Sequence, residues 1–416
     1  MKRSRMMGEM IRVGVLGAGR GMVLPQVAEH VGMKMVAVCD TWEAKLEEAA
    51  RQYGVVTYTD YDRFLEHDMD AVFVANFCHE HAPFAIRALD SGRHVMSECI
   101  ACKTLGEGAA LARAVERSGK IYMFAENYAY FAYVQEMRRL YQAGEIGELR
   151  YAEGEYNHPM DVASYCRLSP GLGHWRNHLP STYYPTHAMS PIMHVTDTRP
   201  VSVNSLAIAY PEGGRPLTVR TGDPGFVALC RMDNGAVVKL FGLGMAGHGV
   251  WYRIHGTRGL MENLRTGDTE SLRVVHEPWD CKEGEERERV YRPDFPVHAD
   301  LANAAGHGGG DFFTSYYFAE AIRKNEQPYL NVYRGLDMTF VGIQAWRSCL
   351  DNGAPYEIPD FRQESVRAKY ENDDWSPFPE DRKPGQPWSS IEGEVKPSRE
   401  AIEYARGIWR EMGYEG

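Results

Sequence analysis

Three glycines follow a short apolar segment near the N terminus, with the spacing of loops that bind phosphate groups. The apolar residues are 13–16, and the glycines are Gly17, Gly19 and Gly21. Gly17 allows a tight turn, and Gly19 lets the backbone approach a pyrophosphate at the start of the next helix. Met22 takes the place of the third glycine in the common pattern, and Gly21 comes one residue early. The chemistry indicated is dinucleotide binding, with a glycine-rich surface turn as the alternative.

An acidic residue completes this pattern. Residues 23–30 have helix-compatible spacing, residues 35–39 form a second apolar run, and Asp40 follows it. A carboxylate about 20 residues after the glycines accepts hydrogen bonds from the adenosine ribose. No Arg or Lys lies between Asp40 and Lys45, so a 2′-phosphate would meet a negative charge without an adjacent cation. The predicted cofactor is therefore NAD rather than NADP.

Polar side chains follow three later apolar runs, which are predicted to be parallel strands. In an open α/β sheet, ligands bind beyond the carboxyl ends of the strands. Each residue alone would suit a helix cap or a solvated loop, but together they predict a working cleft. The residues are Asn76, His79, His81, Glu98, Glu126 and Asn127.

The elements that must position these residues alternate between strand and helix from residue 11 to residue 125. Such alternation predicts an α/β, doubly wound parallel sheet of the Rossmann type. The predicted strands are residues 13–16, 35–39, 55–58, 71–75, 94–98 and 121–125.

The pattern changes after residue 130. β-rich segments predict an α+β region with an open, mostly antiparallel sheet, one face of which would cover the dinucleotide site. Residues 233–235 (Asp-Asn-Gly) predict a hairpin turn. The predicted strands are residues 149–156, 201–210, 226–232, 236–243 and 252–255, and the predicted helices are 134–143, 311–325, 335–351 and 398–412. The domains expected are residues 1–130 for NAD, 131–355 for substrate and oligomerisation, and 356–416 as an extended tail with one helix.

Composition limits the function classes. The chain has 416 residues, 44% hydrophobic and 25% charged, as in soluble globular proteins of two domains. The net charge of −11 argues against nucleic-acid binding. No apolar run of membrane-spanning length and no signal peptide is found, so we expect a cytoplasmic protein without a membrane partner.

The eight cysteines are expected to be reduced. Cys99 and Cys102 have redox or zinc spacing, but no second pair accompanies them, so no metal site is predicted. The open face of the predicted antiparallel sheet makes a homodimer or homotetramer the expected assembly.

Over residues 11–350 the chain resembles the glucose–fructose oxidoreductase and inositol dehydrogenase family (Gfo/Idh/MocA). The resemblance rests on the glycine turn with Asp40, on residues 81–83 (His-Ala-Pro) with 92–95 (Gly-Arg-His-Val), and on Glu98. Family dehydrogenases usually follow that glutamate with a catalytic lysine and a proline, where this chain has Cys99 and Ile100. They also place an aspartate four residues before a histidine, where this chain has Tyr183 before His187.

These departures resemble one branch of the family, the NAD-dependent glycosidases of glycoside hydrolase family 109. Similar features are residues 126–127 (Glu-Asn), 184–187 (Tyr-Pro-Thr-His) and 306–309 (Gly-His-Gly-Gly). The resemblance implies an acid–base role for His307, and an aromatic of the family's sugar site falls near Trp251. Residues implied to line NAD are Arg20, Asp40, His79, His81, Glu98 and Asn127. Residues implied to meet the sugar are Tyr156, Arg176, Tyr184 and His187.

The implied reaction explains why such residues are needed. NAD⁺ would take a hydride from a ring carbon, C3 in our interpretation, and the ketone formed would acidify the C2 proton. A base then removes that proton, the C1 leaving group departs, water adds, and the hydride returns. Each acid or base contributes on the order of 10²–10⁴ in rate. The candidate catalytic residues are His307, His187, Tyr156, Tyr184 and Glu126.

Other interpretations of these residues remain open. His307 could be a flexible surface histidine and His187 a buried structural one, while Tyr156 and Tyr184 could belong to a β-rich core. Glu126 could fix the strand end. The alternative functions are an NAD-dependent sugar dehydrogenase or 3-oxidase, and a non-catalytic NAD-binding regulator.

Overall fold

The computed structural model describes residues 10–211 and 213–414, and the chain forms two compact units. The first unit contains the chain up to Gln135 together with Asp294–Leu336 and Phe361–Asn372. The second contains Glu136–Pro293, Asp337–Asp360 and the chain from Asp373 onward. Each unit is therefore discontinuous in sequence. The roles predicted for residues 1–130, 131–355 and 356–416 stay predictions.

A parallel six-stranded sheet forms the centre of the first unit and confirms the predicted doubly wound fold. The strands lie in the order β3-β2-β1-β4-β5-β6. Helices cross over between consecutive strands, which is how parallel neighbours are joined. The strands are β1 (Ile11–Leu16), β2 (Met33–Cys39), β3 (Val56–Tyr58), β4 (Ala71–Val74), β5 (His94–Ser97) and β6 (Tyr122–Phe124).

Thirteen α-helices lie in the described part of the chain. The helix Leu105–Ser118 has the expected capping residues at both ends: Thr104 accepts from the Glu107 backbone N–H at its start, and Gly119 ends it with φ 62°. The helices are α1 (Leu24–Val27), α2 (Glu43–Tyr53), α3 (Tyr61–Leu65), α4 (His81–Asp90), α5 (Leu105–Ser118), α6 (Ala132–Gln142), α7 (Val162–Leu168), α8 (Thr186–Thr196), α9 (Ala299–Asn303), α10 (Gly310–Lys324), α11 (Val332–Leu350), α12 (Glu364–Tyr370) and α13 (Arg399–Glu411).

The helix predicted over residues 23–30 is interrupted in the structure. Only α1 is α-helical there, between 3₁₀ turns at Arg20–Val23 and Ala28–Val31. Val27 has φ −122°, outside the helical range, and the segment ends at Gly32 with φ 68°. The prediction of one continuous helix is therefore wrong, because periodicity alone does not reveal a local break.

A nine-stranded sheet forms the second unit, in the order β14-β13-β12-β11-β7-β10-β9-β8-β15. β7 and β10 pair in parallel and the other pairs are antiparallel, which confirms the predicted mostly antiparallel sheet. The strands are β7 (Leu149–Asn157), β8 (Pro200–Ile208), β9 (Gly225–Met232), β10 (Val237–Leu243), β11 (Gly249–Gly256), β12 (Gly259–Asn263), β13 (Leu272–His276), β14 (Glu288–Tyr291) and β15 (Tyr356–Glu357).

Helix α8 packs directly on this sheet, although the sequence did not predict a helix there. All of its residues are buried, so no polar face marks a helical period, and it contains Pro191. A Cβ atom on Gly154 of β7 would lie 2.0 Å from the carbonyl oxygen of Ala188. Gly154 therefore lets the helix backbone approach the strand closely.

Beyond residue 355, where one helix is predicted, the structure has α12 and α13. α12 belongs to the first unit and α13 to the second. Ala405 and Trp409 of α13 pack with Cys166 in a buried cluster, and the Trp409 indole N–H donates to the Cys166 carbonyl at 2.9 Å. Among the residues described, no helix combines the length and apolar character needed to cross a membrane.

Candidate functional site

The lack of a side chain serves a different purpose at each glycine of the N-terminal turn. Gly17 adopts φ 103°, and a Cβ atom there would lie 2.4 Å from the Ala75 carbonyl oxygen. A Cβ atom on Gly21 would lie 2.3 Å from Cγ1 of Val15. Gly21 therefore allows close packing of the turn on β1, the task of the third glycine in the common motif. At Gly19, no described atom lies within 4 Å of the Cβ position, so that space is open to a ligand.

Asp40 lies at the end of β2, beside this turn. Its carboxylate accepts from the backbone N–H of Ala18 at 2.7 Å and from that of Trp42 at 2.9 Å. These two bonds orient the carboxylate, and each oxygen keeps a further lone pair. Asp40 can therefore still accept hydrogen bonds from ribose hydroxyls.

Asn76 follows β4, the neighbour of β1. Its amide nitrogen donates to Glu80 at 3.1 Å, whereas its amide oxygen is buried without a hydrogen-bond partner in the described chain. An unsatisfied buried acceptor costs about 1–3 kcal/mol. A donor from a bound ligand would remove that cost. This acceptor and the open space at Gly19 fit a dinucleotide.

His79 and His81 are both buried near the end of β4. The ring of His79 stacks on Phe77 with centroids 6.0 Å apart. The ring nitrogens of His81 lie 2.8 Å from the Ile100 carbonyl oxygen and 3.2 Å from that of Asn76. Burial lowers the pKa of His81, which the hydrogen bond to Ile100 partly offsets. His81 thus joins two strand-end loops, and contact of either histidine with NAD stays a prediction.

Arg20 links the glycine turn to two acids that are distant in sequence. Its Nε donates to Glu98 at 2.7 Å, and its terminal nitrogens donate to the two oxygens of Asp311 at 2.6 and 3.2 Å. The Asp311 side chain is only 4% exposed. Such a two-point guanidinium–carboxylate pair fixes orientation as well as charge.

Asp311 also holds His307 and Asn127. It accepts from the Asn127 amide at 3.0 Å, and its Oδ2 lies 2.8 Å from Nδ1 of His307. Because an ionised carboxylate only accepts, this contact places the proton of a neutral His307 on Nδ1. Nε2 is then left to accept or donate a proton. The structure therefore brings together His307, Asn127, Arg20 and Glu98.

The backbone at His307 bends so that its ring returns to Asp311. His307, Gly308 and Gly309 all have positive φ, at 50°, 53° and 84°. Two glycines adopt this conformation without the steric cost of a side chain. The next residue, Gly310, begins α10, and a Cβ atom there would lie 2.5 Å from the Asn127 carbonyl oxygen. The His307 side chain is 48% exposed, so it is free to meet a ligand.

The charges in this network stabilise one another. Burial opposes the charge of Arg20, but Glu98 and Asp311 outweigh that effect and raise its pKa above the usual range. Burial likewise opposes ionisation of Asp311, but the hydrogen bonds from His307 and Arg20 hold its pKa well below the usual range. Asp311 is therefore ionised at neutral pH.

Cys99 stands where family dehydrogenases carry a lysine, and it contacts Glu126. Its thiol lies 3.1 Å from Oε2 of Glu126, and both residues are buried. Oε1 of Glu126 accepts from the Tyr128 backbone N–H at 3.1 Å. Glu126 is therefore held at the end of β6, and its catalytic role stays a prediction.

Three predicted sugar-site residues meet in the second unit. Tyr156 of β7 lies with its ring centroid 4.6 Å from His187 and 6.2 Å from Tyr184. The rings of Tyr184 and His187 are 4.9 Å apart. The Tyr252 hydroxyl donates to the His187 carbonyl at 2.7 Å and fixes the start of α8. We call Tyr156, Tyr184 and His187 the ring cluster.

The other two predicted sugar contacts are not in this cluster. Trp251 pairs with Glu155, so it lies on the opposite face of the sheet from Tyr252 and α8. There the guanidinium of Arg265 stacks on its ring at 3.7 Å. Alternation along β11 therefore separates Trp251 from the ring cluster. Arg176 stacks its guanidinium on Trp175 at 4.2 Å.

Two residues of the first unit were missed as site residues by the sequence interpretation. Asp311 is the centre of the network, and its spacing of four residues from His307 at a helix start is a signal that could have found it. Cys99 was recognised as a replacement, but its contact with Glu126 depends on neighbouring strand ends that only the fold brings together.

Three family models match parts of the chain, and two of the matched ranges overlap at residues 247–262. Residues 11–126 match the "Oxidoreductase family, NAD-binding Rossmann fold", and residues 134–262 match the "GFO/IDH/MocA C-terminal domain". The chain belongs to the Gfo/Idh/MocA oxidoreductase family. Residues 247–368 match the "Glycosyl hydrolase 109, C-terminal domain", so this family member resembles the glycoside hydrolase family 109 branch. Its first unit contains the family's NAD-binding Rossmann domain.

Relatives that match over most of their length are named as family 109 proteins or, in one case, as a glycosidase. A glycosyl hydrolase family 109 protein of Solibacter usitatus is 25% identical over 405 residues, covering 84% of this chain and 88% of the relative. One from Streptomyces niveus is 28% identical over 401 residues, covering 84% and 77%. An alpha-N-acetylgalactosaminidase of Shewanella oneidensis is 24% identical over 396 residues, covering 85% of each.

Solved structures share the fold. A levoglucosan dehydrogenase in complex with NADH and levoglucosan superimposes with a TM-score of 0.72 at 19% identity, covering 84% of this chain and all of that one. An inositol dehydrogenase homologue of Azotobacter vinelandii, complexed with NADH and myo-inositol, gives 0.69 at 19% identity, covering 84% and 98%.

Proposed function

We propose that this protein is an NAD-dependent glycoside hydrolase that oxidises C3 of a sugar transiently, eliminates the C1 substituent, adds water and restores C3. The observation that carries the proposal is the network in which Asp311 joins the His307 loop to Arg20 of the glycine turn. A loop held in this way presents a histidine beside the nucleotide-binding turn. Relatives named as family 109 glycosidases support the same activity.

Three residues of the first unit are suited to bind NAD. Gly19 leaves space for the pyrophosphate, Asp40 accepts from the ribose, and the amide oxygen of Asn76 accepts one further donor. When bound, the cofactor supplies a hydride acceptor for the C3–H bond and later returns the hydride. The net reaction is then hydrolysis, with no change in oxidation state.

The chain itself must move protons at three atoms. With C3 as a ketone, the C2 proton is acidic, and the ring cluster supplies a base for it and for the C3 hydroxyl through His187, Tyr156 and Tyr184. His307 donates a proton to the departing glycosidic oxygen from Nε2, while Nδ1 stays bound to Asp311. Water then adds to C1, and the same groups return the protons.

The second candidate function is an NAD-dependent sugar dehydrogenase or 3-oxidase. The ring cluster favours it as well, because His187 or a tyrosine can take a hydroxyl proton where family dehydrogenases use a lysine. Such an enzyme would not need His307 as an acid. It would accumulate an oxidised sugar together with an equal amount of reduced cofactor.

One experiment separates the two. The purified protein is stripped of nucleotide and given a panel of 4-nitrophenyl glycosides with and without NAD⁺, following the phenol at 405 nm and NADH at 340 nm in parallel. We expect phenol release that requires NAD⁺ in catalytic amounts, without stoichiometric NADH. Sustained NADH formation would select the dehydrogenase, and phenol release independent of NAD⁺ would reject both.

We further propose that the protein forms a homodimer or homotetramer through the sheet face that carries Trp251. On that face Leu206 is 61% exposed and Leu229 is 47% exposed. Light scattering on the purified protein tests this. An L206E/L229E double variant is expected to shift the mass towards the monomer, and a monomeric wild type would contradict the proposal.

A further inference from the structure

Arg220, in the second unit, is a buried cation without an acidic partner. It is 8% exposed, and its Nε has no hydrogen-bond partner among the described residues. Arg367 provides a comparison, because it is 3% exposed and pairs with Glu116 at 2.7 Å and Glu364 at 2.9 Å. Nothing equivalent surrounds Arg220 in the described part of the chain.

The groups around Arg220 do not replace the missing anion. Its guanidinium carbon lies 5.6 Å from the ring centroid of Tyr165. Its contact with the Thr218 hydroxyl, at 3.2 Å, is made by the backbone N–H and not by the guanidinium. Asp223, three residues later, is committed elsewhere: it accepts from the Ser390 hydroxyl at 2.7 Å and from the Ile391 backbone at 2.9 Å.

The Arg220 guanidinium lies at the same end of the sheet as Tyr156. A Cβ atom on Gly244 would be 3.5 Å from its terminal nitrogen. Gly244 comes directly after β10, and Gly242 of β10 pairs with Tyr156 of β7. Arg220 is therefore placed within a few residues of the ring cluster.

A second arginine approaches the same tyrosine. The Tyr165 hydroxyl donates to the Arg176 carbonyl at 2.5 Å, so Arg176 and Arg220 both adjoin Tyr165. The guanidinium of Arg176 stacks on Trp175 and has no carboxylate partner within the described residues. Two guanidinium groups without carboxylates thus come from segments that flank one side chain.

Burying an isolated charge is costly, and buried charges in proteins are normally paired. An arginine cannot relieve the cost by losing its proton. Its planar donor fork matches the oxygens of a carboxylate or a sulfate ester. We propose that Arg220, with Arg176, binds an anionic group on the sugar of the substrate. This inference rests on the proposed glycosidase function and narrows its substrate to acidic glycosides.

Direct binding tests the site without any turnover. Isothermal titration of the full-length protein at constant ionic strength compares D-galacturonate with D-galactose, and D-glucose 6-sulfate with D-glucose. We expect the anionic member of at least one pair to bind about tenfold or more tightly than its neutral counterpart. Tighter binding of galacturonate would identify the anionic group as a carboxylate, and tighter binding of glucose 6-sulfate would identify it as a sulfate ester. Equal affinity within both pairs would overturn the proposal.

The variant R220Q shows whether Arg220 supplies that difference. Removing one partner of a buried charge pair should weaken binding of the anionic sugar by about thirtyfold or more. Arg167, which is exposed on α7 two residues after Tyr165, provides the matched control R167Q, and it should retain the preference. Equal losses in R220Q and R167Q would reduce the effect to general charge and would reject the site.

Stability of the unliganded protein separates a binding role from a structural one. Because Arg220 is buried and unpaired, R220M should raise the Tm of the sugar-free protein while abolishing the extra stabilisation by the anionic sugar. A fall in Tm together with unchanged anion binding would assign Arg220 to packing against Tyr165 and would overturn the proposal.

Turnover distinguishes this inference from the function it rests on. The 4-nitrophenyl glucuronides and glucosides are compared in both anomeric forms, as are the galacturonides and galactosides. Hydrolysis of neutral glycosides only, with no anion binding, would remove the anion site and leave the glycosidase intact. Selective anion binding lost in R220Q, with no hydrolysis of any glycoside, would keep the site and remove the glycosidase.

Discussion

Oδ2 of Asp311, in the first turn of α10, lies 2.8 Å from Nδ1 of His307, which lies in the preceding loop of left-handed backbone. The same carboxylate receives Arg20 from the glycine turn, 291 residues away in sequence. One buried acid thus orients a candidate proton donor and ties it to the nucleotide-binding turn.

Removing the imidazole should affect substrates according to their leaving group. His307→Ala is expected to lower kcat for glycosides with poor leaving groups by about 10²–10⁴-fold, and for 4-nitrophenyl glycosides far less, while NAD binding persists. D311N should show the same pattern with a smaller loss, since the amide oxygen can still accept from Nδ1. Plots of log kcat against leaving-group pKa measure the effect. H298A, which alters another exposed histidine of left-handed backbone, should match wild type; equal slopes in H307A and wild type would reject the acid role.

The lowered pKa of Asp311 predicts how stability depends on pH. Because the folded pKa lies below the unfolded value of about 3.9, ionised Asp311 stabilises the fold above that value. This contribution is lost as the pH falls below about 4 towards the folded pKa. Urea unfolding of wild type and D311N between pH 3 and 7 should show the two free energies converging at the acid end. D300N, an exposed aspartate nearby, should run parallel to wild type; a constant gap for D311N would contradict the predicted linkage.

Two glycines of the turn should separate cofactor binding from folding. In G19A the new methyl group enters open space, so we expect a Tm close to wild type and a weaker affinity for NAD⁺, by about tenfold. In G21A the methyl group collides with Val15, which should cost about 1–3 kcal/mol of stability. Thermal unfolding and NAD⁺ titration give both quantities. Destabilisation of G19A as large as that of G21A, or unchanged NAD⁺ affinity in G19A, would contradict the role assigned to Gly19.

Asp40 should determine the choice between NAD and NADP. Its carboxylate accepts from two backbone amides and would repel a 2′-phosphate. Wild type is expected to bind NAD⁺ at least about a hundredfold more tightly than NADP⁺, and D40N should narrow that ratio by about tenfold or more, since one charge is removed. Competitive titration of both nucleotides measures the ratio. Comparable affinities in wild type would contradict the assignment.

Much of the first unit could be predicted because its strands are short apolar runs between clear turn residues. Ala71–Val74 form a buried strand, one residue shorter than the predicted 71–75, and Asp40 directly follows β2 as expected. Two helices were not predicted correctly, both for local reasons. The helix after the glycine turn breaks at Val27, and α8 has no polar face to mark its period. Strands β13 and β14 were not predicted, because with five and four residues they are too short for their alternation to stand out in the sequence.

The site was less predictable than the fold, because its residues are far apart in sequence and because strand register decides which face of the sheet a side chain occupies. The Arg20–Asp311 pair depends on the later segment joining the first unit, which local patterning does not show. Trp251 was placed near the sugar by sequence position, but a one-residue step along β11 puts it on the other face from Tyr252. Nothing in the sequence distinguishes Arg220 from other arginines. Its burial without a carboxylate partner, which only the structure shows, is what indicates an anion-binding role.

The central claim is that the glycosidic bond breaks by elimination from a transiently oxidised sugar. Hydrolysis of a 4-nitrophenyl glycoside in D₂O, followed by NMR of the released sugar, tests it most directly. Elimination from an oxidised sugar should give deuterium at C2 in the product, because the C2 proton is removed and replaced from solvent. Complete hydrolysis with the original proton retained at C2 would contradict it.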